Sequence, residues 1–178
     1  METFAPARDL VADPGFARAR RRALAALDPV EIDAPIRDVV AAFAALPHVF
    51  TLQCCCGHFL VDPGQDPHDC APLPPCVSGP VTYRIAYLAL CLENGPRGRA
   101  LLASLARLPA IDPDYVQFGS PTWFWDRRPN SYALQVEPAA HMTQDEAVLS
   151  PAEALRTQAV RDRIFAELRA LLADAGGP

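Results

Sequence analysis

Apolar residues recur along this chain in two rhythms, one of three and four residues and one of two. "DAPIRDVVAAFAALP" (33–47) sets Ile36, Val39, Val40, Phe43 and Leu46 at helical steps, which gives one core-facing stripe. Asp33 stands where an N-cap belongs, and Pro47 ends the run. An earlier helix is expected over about 14–27, with Asp13 as its cap and Pro14 at the first helical position. Another enters at Pro96 after the Asn94-Gly95 turn and ends near Leu108. A last helix opens on Ser150, Pro151 and Glu153, a capping box with proline in the first turn. Ile164, Phe165, Leu168, Leu171 and Leu172 form its stripe, and Gly176-Gly177 stops it.

The two-residue rhythm appears in "HVFTLQC". Phe50, Leu52 and Cys54 are expected in the core, with Val49, Thr51, Gln53 and Cys55 on a more polar face. "VTYRIAYLALC" (81–91) is apolar on both faces, like an interior strand, and its Arg84 must be paired or reach solvent. "YVQF" (115–118), "TWFW" (122–125) and "SYALQVE" (131–137) also read as strands. The reading is an α+β, or mixed α/β, single domain over 1–178, with about five strands packed against about four helices. Residues 62–80 hold six prolines and form a long loop carrying His68, Cys70 and Cys76.

Composition narrows the function classes. Half the residues are apolar (51%), enough for a real core in 178 residues. All sixteen basic residues are arginine, and the net charge of −5 disfavours RNA as a partner. The start, "METFAPARDL", does not read as a secretory signal, and no stretch has the length of a membrane span. A cytoplasmic protein with reduced thiols is expected, so its six cysteines suggest metal binding, catalysis or burial before disulfides.

"TLQCCCGHFL" (51–60) concentrates the chemistry. Alternation turns Cys55 away from Cys54 and Cys56, beside Thr51 and Gln53, and Gly57 lets the backbone turn sharply. Three readings stay open. In the first, zinc is held by Cys55 and His58 together with Cys70 and Cys76, four soft or imidazole ligands within 22 residues. In the second, Cys55 is a thiol activated by His58. In the third, the thiols are structural.

Residues 39–59, "VVAAFAALPHVFTLQCCCGHF", resemble the opening of the wybutosine-synthesis methyltransferases, whose signature is Thr-Thr-Ser-Ser-Cys-Ser-Gly-Arg. The corresponding run is Thr51-Leu52-Gln53-Cys54-Cys55-Cys56-Gly57-His58, in which Thr51, Cys55 and Gly57 agree. Histidine replaces the arginine, and Gln53, Cys54 and Cys56 replace serines. The likeness covers about 36–60, with a looser one through 96–137. It implies a related fold, a site around Cys55 and His58, and S-adenosylmethionine or a nucleotide-like ligand against Thr51, Gln53 and Gly57. Arg97 and Arg99, at the helix start in "GPRGR", are candidates for an anionic group of that ligand.

Other groups are less distinctive. Trp123 and Trp125 alternate onto one face and are expected in the core. The cluster Arg18, Arg20, Arg21, Arg22 reads as a solvated helix face. Gln117, Gln135 and Glu137 alternate away from apolar neighbours; in a sheet shared with Cys55 they would line one pocket.

Overall fold

The stripe of residues 36–46 becomes a helix because a core lies ready to receive it. In the computed structural model, which describes residues 5–175, α1 spans Phe16–Ala26 and α2 spans Arg37–Ala45 after a 3-10 turn at Ala34–Ile36. The strands β1 (Val49–Leu60) and β2 (Val81–Leu92) follow, then α3 (Pro96–Leu105), β3 (Val116–Gly119), α4 (Thr122–Arg127), β4 (Ser131–Val136), β5 (Glu146–Leu149) and α5 (Pro151–Ala175). The expected α+β class is observed, with five strands in one antiparallel sheet and five helices among the described residues. Gly176-Gly177 lie outside the described residues. Ser150 Oγ accepts a hydrogen bond from the Glu153 N–H at 3.3 Å, as the capping box requires. No described helix is long and apolar enough to cross a membrane.

The sheet runs β1-β2-β4-β3, and β5 pairs with the first part of β2. On one face, Val39, Val40 and Phe43 of α2 and Ile164 and Leu168 of α5 are almost fully buried against Leu88, Leu134 and Val136. Burial of each such side chain contributes about 1.5–3 kcal/mol. Arg84 of β2 is paired, its Nε 2.8 Å from Glu146 Oε1 on β5.

Three local expectations change. A bulge between Thr51 and Gln53 shifts the register of β1, so its alternation reverses partway along. Val49, expected on the polar face, therefore joins the main core with Cys56, while Phe50 joins Phe16 and Cys91 in a small second cluster. "TWFW" is not a strand. Pro121 leads into a helical turn in which Phe124 is buried, Trp125 packs edge-on against Tyr132, and Trp123 stays 41% exposed. The two tryptophans thus leave opposite ways. Finally, "EAVL" forms β5, a strand of four residues that sequence reading passed over.

As the end strand of the sheet, β1 offers backbone groups that no strand satisfies. Side chains do so instead. Arg20 donates to the carbonyls of Val49, Ala44 and Leu46 (3.1, 2.8 and 2.9 Å), so one member of the arginine cluster ties α1 to β1. Asp33 Oδ2 accepts from the Cys56 N–H at 2.7 Å, Arg161 of α5 donates to the Gly57 carbonyl at 3.0 Å, and Gln65 donates to the Phe59 carbonyl at 3.3 Å.

Candidate metal and ligand site

The second face of the sheet is covered at one end by α1, through Phe16 and Phe50. Beyond it lies a concavity of about 960 Å³. Register explains its lining: Cys55 sits opposite Tyr87, Tyr87 opposite Gln135, and Gln135 opposite Gln117, so one polar row crosses four strands. Gln53, Cys55 and Gln135 line the concavity, as alternation anticipated, whereas Gln117 and Glu137 do not; Tyr87 lines it as well, and its hydroxyl donates to Gln53 Oε1 at 3.4 Å. The exposed Trp123 lines it too. Glu31, Asp33, Asp145 and Glu146 give the lining an excess of acid over Arg84.

At the end of this row β1 turns. Gly57 takes φ +81, a conformation that side chains disfavour, and a Cβ there would lie 2.9 Å from Ala86 Cβ. The turn gathers consecutive residues of β1 around one imidazole. His58, only 3% exposed, directs Nδ1 at the Asp69 carbonyl (3.0 Å) and Nε2 at Asp33 Oδ2 (3.4 Å). A carbonyl only accepts, so Nδ1 carries the proton in that bond and the lone pair of a neutral ring lies on Nε2. The His68 ring meets His58 edge-on at 6.0 Å.

Two triplets of ligand-type atoms share His58. Asp33, Cys55 and His58 have theirs within 4.8 Å of one another, and so do Cys56, His58 and Cys70. All three residues of the first line the concavity; Cys56 and Cys70 do not. Cys56 is 1% exposed, and its Sγ lies 3.5 Å from Cys70 Sγ. Of the expected zinc set, Cys55 and Cys70 each approach His58, but in different triplets, and Cys76 is exposed and outside both.

The thiols are not activated by their surroundings. Burial pushes Cys55 up to about 11, against a small opposing effect of the Gly57 N–H. Burial, then the Asp33 carboxylate, pushes Cys54 up to about 11 and Cys56 higher still. At neutral pH all three are protonated, because burial outweighs the nearby Arg84 charge at Cys55.

Other expected residues lie elsewhere. Thr51 does not line the concavity, and its Oγ1 is buried without a partner. Gly57 shapes the turn. Arg99 hydrogen-bonds Asn94 Oδ1 at 2.9 Å, and Arg97 lines a different groove, so neither reaches the Cys55 site. Asp33 and Cys56 are the residues sequence reading left out. Asp33 makes no side-chain cap bond at the 3-10 turn; its carboxylate goes to β1, 23 residues away.

Fold and site together define an α+β protein with a thiol–imidazole–carboxylate junction at the wall of an acidic concavity. The chain matches no family model and no curated protein. The PH1069 protein from Pyrococcus horikoshii is a structural relative, with a TM-score of 0.51 and 13% identity over 92% of this chain and 97% of that one. At this identity the likeness shows the fold alone.

Proposed function

We propose that this protein binds a thiophilic divalent metal ion, zinc by its ligand chemistry, through Asp33, Cys55 and His58. The observation that carries this is the 3.4 Å approach of His58 Nε2 to Asp33 Oδ2, while Nδ1 is committed to a carbonyl. An ion between them would be bonded by both lone pairs at once. A tetrahedral ion bonded to nitrogen and oxygen at about 2.0–2.2 Å sets those atoms about 3.3–3.5 Å apart. A backbone carbonyl holding the other ring nitrogen is the usual way a metal-binding histidine is oriented. Three protein ligands beside a concavity leave a coordination position for water or a ligand.

The ion would also supply what Cys55 lacks, since coordination removes the thiol proton. The test is elemental analysis of protein purified without an affinity tag. About one zinc per chain is expected, with loss of thermal stability after chelation and loss of metal in Asp33→Asn. Protein that stays metal-free in the presence of zinc overturns the reading.

A second reading is supported by the concavity itself. Its volume falls in the small-molecule range, and Cys55 and Gln53 open onto it beside Tyr87 and Trp123, aromatic surfaces suited to a nucleobase. In this reading the ligand is S-adenosylmethionine or a nucleotide-like molecule, and the protein a methyltransferase of the kind its opening resembles. The acidic lining opposes an RNA backbone. Calorimetric binding of S-adenosylmethionine that is lost in Cys55→Ala supports it; absence of binding removes it.

A further inference from the structure

A second groove, of about 810 Å³, lies between α3 and α5 and shares no lining residue with the first. Leu101, Leu108, Ile111 and Leu171 give it an apolar base. Arg97 and Arg107 line it from the α3 side, and Glu167 and Asp174 from α5. All four charged side chains are at exposed positions, free to pair across the groove or to meet a bound molecule. They do not pair: among the described residues, no salt bridge joins either arginine to either carboxylate. Arg107 reaches only Ser104 Oγ, at 3.2 Å.

His48 also lines this groove. It is 7% exposed, and its Nδ1 is buried without a hydrogen-bond partner. An orphaned polar atom of this kind calls for an explanation, and a bound molecule is one. Burial, then the charge of Arg97, lowers its pKa and keeps the ring neutral.

We infer that this groove binds a small zwitterion with an aliphatic body, the chemistry of a free aliphatic α-amino acid. Its carboxylate is matched by Arg97 and Arg107, its ammonium by Glu167 and Asp174, and its side chain by the leucines beneath. A simple anion would meet two carboxylates, and a simple amine two guanidinium groups. Only a molecule carrying both charges satisfies both walls. The site is independent of the metal site proposed at His58.

The test is calorimetric titration of the full chain with L-leucine, 4-methylpentanoate and 3-methylbutylamine, the last two each lacking one charge. Saturable binding of leucine is expected, with each single-charge analogue weaker by about tenfold or more. Arg97→Gln and Glu167→Gln, both at exposed positions, should each abolish the preference for leucine without shifting the melting temperature. Asp33→Asn should leave leucine binding unchanged. Analogues that bind as well as leucine, binding indifferent to both groove variants, or no saturable binding of any of the three would each overturn the proposal.

Discussion

Cys55 and Cys56 are neighbours in β1, yet they head rows of opposite character. The Cys55 row continues through Tyr87, Gln135 and Gln117. The Cys56 row continues through Ala86, Val136 and Val116, all buried in the main core. One residue of displacement separates a wall of polar groups from the interior, because successive side chains of a strand point to opposite faces. The same division runs through the two triplets at His58. The triplet with Cys55 opens on a concavity, as a site for an exchangeable ligand must, whereas Cys56 and Cys70 of the other triplet stand outside it. The core row holds the fold; the polar row weakens it in exchange for a site.

The largest expected effect is on metal content. His58→Ala removes the residue common to both triplets and should take bound zinc from about one per chain to near zero in elemental analysis. Cobalt separates the triplets: the sulfur-to-cobalt absorption should vanish in Cys55→Ser and persist in Cys70→Ser. The opposite pattern would move the ion to the triplet with Cys56 and Cys70.

Next in size is the polar face's burden on stability. Glu137 is fully buried, accepts a hydrogen bond from Gln135, and keeps Oε2 without a partner. Burial holds its carboxyl at about 8 instead of the usual 4.5. The folded state therefore keeps a proton that the unfolded chain gives up, and stability should fall as pH rises from about 4.5 to about 8. The slope is at most about 1.4 kcal/mol per pH unit. Urea midpoints of Glu137→Gln should decline much less over that range than those of the parent. Equal declines would place the proton elsewhere.

Smaller effects follow from β1 itself. Cys56→Ser puts a hydroxyl into the core and should destabilise by about 1–3 kcal/mol in urea unfolding. The same change at Cys55 should stay within about 1 kcal/mol, since that face already meets solvent. If the two variants unfold alike, the faces do not differ as described. Gly57→Ala, at positive φ and against Ala86, should lose about 1–2 kcal/mol and weaken metal binding with it.

The parts legible in the sequence were those set by local pattern. The stripe of α2, the capping box of α5 and the outward turn of Cys55 all follow from spacing along one element. The polar row was legible too, because Gln117, Gln135 and Glu137 break otherwise apolar strands. The bulge at Thr51–Gln53 was not, since no glycine or proline marks it. "TWFW" alternates no differently from a strand over four residues, and packing against Tyr132 decides for a helix. Asp33 was hidden most completely: its place before Ala34-Pro35 fits a cap, and only the folded chain shows its carboxylate at Cys56 and His58. In the proline-rich loop no periodicity distinguishes Cys70, which reaches the cluster, from Cys76, which does not.

The side chains that occupy the outer rim of β1 have a consequence for how copies of this protein meet. A bare strand margin invites an incoming chain to zip on and extend the ladder, the first step toward fibrous assembly. Here Arg20, Asp33, Arg161 and Gln65 already hold positions an intruding backbone would need. Asp33 thereby serves two ends at once: the carboxylate at the proposed ion also denies strangers a foothold.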